Sequence, residues 1–154
     1  MSNEWIREMV STMRKRLIRS ERGAALLETA ITLPLILLVS VAIFEFGRAY
    51  QTWQVLTNAA REGARVAVIN GVSETQIRKA VTDYAGVGGL SVSDSQISIE
   101  QGVALSVGSG SKITIAYPFQ FIVLNGVVRL VTPSSKTGEA LTMSAVALMR
   151  NEGL

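Results

Sequence analysis

The sequence predicts an α+β protein: one long N-terminal helix that leads into a small domain with a second helix and an antiparallel sheet of three to four strands. Three observations carry this. Residues 29–44 hold no charged side chain. A helical spacing of apolar and small residues then persists to about residue 69, without proline. After residue 90 the period changes from helical to two, the alternation of half-buried strands.

The first element is a basic leader. Residues 1–23 carry Arg7, Arg14, Lys15, Arg16, Arg19 and Arg22 against Glu4, Glu8 and Glu21, which is the whole formal net charge of +3. The remaining residues are balanced, so no basic patch for nucleic acid is concentrated on the folded part. Trp5, Ile6, Met9, Val10, Met13, Leu17 and Ile18 recur at helical spacing. Two readings of them stay open: a short helix on the anionic inner leaflet, or a basic n-region with incidental apolar residues.

The second element is a membrane-length run over about 24–44, with Glu28 as its one charge. It contains twelve Leu, Ile, Val and Phe residues. At roughly 0.3–0.6 kcal/mol each they favour insertion by up to ~4–7 kcal/mol. A single Glu costs ~3 kcal/mol at mid-membrane and less near an end, so insertion wins. The Lys/Arg excess precedes the run, which sets the N-terminus in the cytoplasm and the C-terminal part outside. A cleaved secretory signal is the rival. Its apolar region is usually about 7–15 residues long with a small-x-small site behind it. Here the run is longer, and Glu45, Phe46, Gly47 and Arg48 follow it.

The run continues as a helix. Tyr50, Trp53, Thr57, Ala60, Ala64 and Ala67 form a periodic stripe, and Tyr50 and Trp53 fall where an interfacial aromatic belt lies. A helix over roughly 24–69 is ~69 Å long at ~1.5 Å per residue, more than twice the ~30 Å apolar core. Pro34 lies within it and is expected to kink it. Asn70-Gly71 ends it. The expected organisation is a leader 1–23, a long helix 24–69 and an outer domain 70–154.

Ser73 with Gln76 has the capping-box spacing. Ile77, Ala80, Val81, Tyr84 and Ala85 then follow at amphipathic spacing until Gly86, Gly88 and Gly89. Alternating runs centre on Ile97 and Ile99, on Val103, Leu105 and Val107, on Ile113, Ile115 and Tyr117, and on Leu141 to Met149. Gly108-Ser-Gly-Ser111 is the expected turn between the second and third runs. Residues 120–131 carry a good hairpin signal at Asn125-Gly126, and a short buried helix fits nearly as well. Residues 132–139 read as a loop, with Pro133 and Gly138.

Composition removes several chemistries. The chain has no Cys and no His. Disulfides, thiolate nucleophiles and Cys/His metal sites are excluded, along with the commonest general base. Asp83, Asp94, Glu100, Lys112 and Glu139 are scattered without paired spacing, so solvated surface charge is expected. Gly86-Val-Gly-Gly89 lacks the following Lys-Ser/Thr of a phosphate loop. No enzyme activity, cofactor or metal is expected.

The candidate functional residues stand at the mouth of the apolar run. Glycine at Gly23 leaves the Gly23–Ala24 bond accessible and easily unwound, as a protease at the cytoplasmic face requires. A cut there would expose an α-amine, normally charged at neutral pH. Glu28, about one turn on, could neutralise that amine or an adjacent subunit's. In low dielectric such pairing is strong and an unpaired charge is penalised. The plain alternative is a Glu28 that reaches back to cytoplasmic water. Farther along, Ala60, Gly63, Ala64 and Ala67 make a small-residue face, with Arg61, Glu62 and Arg65 off it and Glu62–Arg65 spaced as an i,i+3 pair. The face suits another subunit or the domain's own sheet, and the sheet's need for cover favours the latter.

These residues together, Arg22-Gly-Ala-Ala-Leu-Leu-Glu28, Leu33-Pro34-Leu35, Phe44-Glu-Phe-Gly-Arg48 and Asn58-Ala-Ala-Arg-Glu-Gly-Ala-Arg65, resemble the TadE-like pseudopilins of tight-adherence (Flp) pilus systems. The resemblance covers about residues 22–68. It implies a pilin-like fold and cutting after Gly23 by a prepilin peptidase. It further implies that Glu28, fifth in the mature chain, serves processing and assembly, with Pro34, Arg61, Glu62, Gly63 and Arg65 as family-motif positions. Thr29 stands where prepilins of this system often have Tyr, which places the chain nearer the minor, pseudopilin class than the major subunit. The implied partners are the peptidase, other pilin or pseudopilin subunits and inner-membrane lipid, with no nucleic acid. The implied location is the bacterial inner membrane, single-pass. The alternative from another class is an uncleaved, single-pass anchored module that binds a ligand or partner. An anchored hydrolase is a more distant one.

Overall fold

The computed structural model describes residues 3–106, 108–123, 125–126 and 140–151, except for the side chains of 14–20. Its elements are helix α1 (Glu4–Ala67), helix α2 (Glu74–Val87), one 3-10 turn (Asp94–Gln96) and strands β1 (Ile97–Ala104), β2 (Ser109–Phe119) and β3 (Leu141–Arg150). This is the expected α+β architecture. The chain divides into two compact units, Met1–Ile43 and Phe44–Leu154.

The first unit is helix. α1 begins at Glu4, well upstream of the apolar run, because the leader contains neither Pro nor Gly before Gly23 and is rich in Arg, Glu and Met, good helix formers. Its apolar window is wholly unburied; Leu26, Leu27, Ile31, Leu35, Ile36 and Val39 all face outward. By length and composition this stretch is long and apolar enough to cross a membrane, which fits an anchor. Its few hydroxyls are self-satisfied. Thr29 Oγ1 donates to the Ala25 carbonyl at 2.8 Å, Thr32 Oγ1 to that of Glu28 at 2.9 Å, and Ser40 Oγ to that of Ile36 at 2.8 Å. Such i−4 bonds let Ser and Thr sit in hydrocarbon without a free donor.

The second unit packs the C-terminal part of α1, together with α2, on a three-stranded antiparallel sheet of order β1-β2-β3. Ser73 caps α2 with the expected reciprocal box: Gln76 N–H donates to Ser73 Oγ at 3.4 Å, and Ser73 N–H to Gln76 Oε1 at 3.0 Å. Ile77, Val81 and Ala85 form the buried face of α2. The central strand supplies Ile113 and Ile115, each wholly buried. They lie opposite Ala147 and Ala145 of β3 and opposite Ile99 and Ile97 of β1. Large residues on β2 thus meet small ones on β3 and on α1, where Ala59, Ala60 and Ala64 are fully buried. The small-residue face of α1 covers its own domain's sheet, as expected.

Three local expectations change. Ala60, Ala64 and Ala67 of the expected stripe are buried, whereas Tyr50 and Trp53 point outward and the buried positions at that end are Glu45, Ala49, Thr52 and Leu56. There the buried face lies one residue ahead of the stripe, about 100° on a helix, and only packing selects between them. Between β1 and β2 the Leu105 N–H donates to the Gly108 carbonyl at 3.1 Å, and Val107 lies outside the described residues. Ser109 to Ser111 are already strand, and Val103 is part of β1 after an irregularity between Glu100 and Val103. Val123, Asn125 and Gly126 have helical backbone, so the short helix, not the Asn125-Gly126 hairpin, describes these positions. Residues 127–131 of that segment, and the loop expected at 132–139, lie outside the described residues.

Two glycines set how closely the helices approach. A Cβ on Gly63 would sit 2.4 Å from Val81 Cγ2, and one on Gly88 would sit 2.5 Å from Val55 Cγ1. Both distances are below contact, so each glycine is a steric requirement. Ser111 Oγ, buried at the end of α1, donates to the Ala67 carbonyl at 3.3 Å or to Asn151 Oδ1 at 3.1 Å. That ties the last turn of α1 to the sheet. Beyond it, Gly71 takes a φ of +83° and turns the chain into α2. Gly63→Ala should destabilise the detergent-solubilised full chain by about 1–3 kcal/mol in chemical unfolding. Combined with Val81→Ala, the loss should be smaller than the sum of the two single losses.

Candidate functional site

Gly23, Ala24 and Glu28 lie on successive turns of α1 within the first unit, and all are exposed. A Cβ on Gly23 would meet nothing within 4 Å, so no intrachain packing demands glycine there. Glu28 has no ion-pair partner among the described residues. Pro34 lies inside α1 and is exposed.

The second motif divides by role. Gly63 is buried at the α1–α2 crossing. Glu62 and Arg65 form a two-point ion pair, with Arg65 Nε 2.9 Å from Glu62 Oε2 and Nη2 2.5 Å from Oε1. The Arg65 hydrogen bonds hold the Glu62 carboxyl below its usual range. Arg61 is exposed. The motif therefore has an inward glycine that spaces two helices and an outward charged edge.

Two of the scattered acidic groups have side-chain partners. Asp83 pairs with Lys79 at 2.6 Å, and Glu100 with Lys112 across the β1–β2 ladder at 3.0 Å. The Asp94 carbonyl accepts from Arg78 Nη1 at 2.8 Å. Glu139 lies outside the described residues. Among the described residues no group of three or more Asp or Glu side chains could hold a metal ion.

The most constrained polar group is one that sequence reasoning passed over. Glu45 is fully buried. Its carboxylate accepts from the Val123 N–H at 2.9 Å, from the Ile122 N–H at 3.0 Å and from Arg48 Nη2 at 3.0 Å. Arg48 also donates to the Gln120 carbonyl and lies 4.4 Å from the centroid of the Phe119 ring. Phe121 stacks edge-on against Phe119 at 5.2 Å and against Phe46 at 5.9 Å. Glu45 thus ties the backbone after β2 to α1 just past the apolar run. Two sequence signals were available: the i,i+3 spacing of Glu45 and Arg48, and an acid flanked by phenylalanines. Its amide partners, from far along the chain, had no signal.

The Val123 amide, with the Arg48 side chain and the Ile122 amide, outweighs desolvation and holds the Glu45 carboxyl below its ordinary value. A depressed folded value makes a stabilising contribution at neutral pH, and it disappears as pH falls through that value. Stability should therefore decline with acidification below the ordinary carboxylate value of about 4. Glu45→Gln should be less stable at neutral pH and should flatten this dependence. Unfolding midpoints across an acid pH series check both.

Comparison with protein families finds a match to the TadE-like protein family over residues 23–65. No significant match appears among curated proteins or among solved structures. The matched stretch begins at Gly23 and ends at Arg65, so it contains the exposed Gly23–Glu28 segment, Pro34, the Glu45–Arg48 clamp and the Gly63 crossing. Over residues 23–65 the resemblance to the TadE-like family read from the residues is borne out.

Proposed function

We propose that this chain is a minor pilin or pseudopilin, processed after Gly23, that takes part in assembling a tight-adherence (Flp-type) pilus. The observation that carries the reading is the family match, whose first residue is the glycine expected before the cut. Two features support it. Gly23 and Glu28 are exposed on a helix whose apolar window is covered by nothing within the chain. Gly23 also has open space around it, so its requirement would come from a protease rather than from packing. Glycine costs a helix about 1 kcal/mol relative to alanine, which eases local unwinding at the scissile bond.

In this reading the basic leader stays in the cytoplasm and is removed by a prepilin peptidase. Residues 24–44 span the inner membrane, and the α+β domain lies outside. The new α-amine of Ala24 pairs with Glu28 of the same or a neighbouring subunit. The role is structural, with neither active site nor cofactor.

Expressed in its host with an active prepilin peptidase, the protein should yield a form beginning at Ala24. Gly23→Val should abolish that form, since a branched side chain replaces hydrogen at the cut. N-terminal sequencing of the membrane-extracted protein decides this, and recovery of uncut protein alongside normal pili would overturn the proposal. Glu28→Ala should insert normally, because the apolar run supplies up to ~4–7 kcal/mol. It should nevertheless impair pilus assembly, and pilus counts equal to wild type would remove the pairing role.

A further inference from the structure

Just past the apolar run, the second unit exposes a cluster of large apolar side chains that its own core does not use. Phe46 is 61% exposed, Ile122 69% and Val123 43%. They are gathered by design of the backbone, since the Glu45 carboxylate binds the Ile122 and Val123 amides while Phe121 packs on Phe46. We propose that Phe46, Phe121, Ile122 and Val123 form a second membrane contact, seated in the lipid interface beside the end of the span.

Two observations select lipid as the occupant. The first is continuity. Phe44 is the last residue of the apolar run, and each helical residue advances ~1.5 Å, so Phe46 lies ~3 Å farther along the helix. The interfacial layer on each side of the hydrocarbon is about 5–8 Å deep. Glu45 sits between those two phenylalanines and holds Ile122 and Val123 at its own level. The second is hydrogen bonding. Backbone polar groups pressed against hydrocarbon need partners that are not water, so internal satisfaction favours a seat at its edge. Here the Ile122 and Val123 N–H groups are both taken by Glu45, and the Gln120 carbonyl is taken by Arg48. The buried carboxylate replaces the water that such a turn would otherwise need.

The inference rests on residues 24–44 being a membrane span. The chain has no cysteine, so single labels are unambiguous. Ile122→Cys, Val123→Cys, Val146→Cys and Ile36→Cys in the full chain are each labelled with the fluorophore NBD. They are reconstituted in phosphatidylethanolamine–phosphatidylglycerol vesicles, with or without lipids that carry a nitroxide on an acyl chain, near the headgroup end to report on 122, 123 and 146 and near the methyl end to report on 36. Labels at 122 and 123 should be quenched several-fold more than the label at 146 on the outer face of β3. Quenching at 36 with none at 122 and 123 overturns this inference and leaves the span intact. No quenching at 36 overturns both. Shielding at 122 and 123 that appears only as protein is concentrated in the bilayer means that a second copy covers the cluster, which also overturns it.

Discussion

α1 changes along its length from an uncovered helix to a packed one, and the rest of the structure follows from where it changes over. From Leu26 to Val39 the large apolar side chains of α1 are exposed, with no cover among the described residues. From Ala49 onward the same helix buries a stripe of Ala, Thr, Leu and Gly against α2 and the sheet. Lipid rewards bulk on the outside of a helix, whereas close packing against a domain rewards small residues on one side. The composition of α1 switches from Leu, Ile and Val to Ala and Gly accordingly.

Glu45 marks the changeover. Burial of a carboxylate is unfavourable unless its lone pairs are filled, and here two amides and one guanidinium fill them. Arg48 in turn spreads its charge between Glu45, the Gln120 carbonyl and the face of Phe119. Its Nε is buried without a partner among the described residues. The clamp joins positions more than seventy residues apart in sequence, Glu45 and Ile122 being separated by 77. It fixes the positions of the Gln120 carbonyl and the Ile122 and Val123 amides against α1.

The family motifs divide between inside and outside in a way that bears on function. Gly63 is explained by Val81, which leaves no room for a side chain. Gly23 is not explained by any neighbour in the chain. Glu45 and Glu28 differ likewise: one is saturated with intrachain hydrogen bonds, and the other is exposed beside an apolar helix. Residues whose identity the fold accounts for need no partner. Gly23 and Glu28, where processing and subunit pairing are proposed, are among those it does not account for, with Pro34 and Arg61.

Much of this was legible along the chain. The uncharged run, the capping box at Ser73 and Gln76, the apolar face of α2 and the alternation in β2 and β3 are local patterns with periods of 3.6 or 2, and each element formed where its pattern lies. What could not be read was phase and partnership. Tyr50 and Trp53 share helical spacing with the core residues but face away, because one step of 100° separates two equally periodic stripes. The Asn125-Gly126 pair carries a hairpin signal, yet Glu45 accepts the amides that precede it and the backbone there is helical. Near neighbours alone suffice to specify the long helix, α2, β2, β3 and the lipid-length run, since each is a local period. Which face of α1 is inside, that Gly63 and Gly88 are contact points and that Glu45 is a clamp follow only from packing, because each depends on a side chain or amide brought in from elsewhere in the chain.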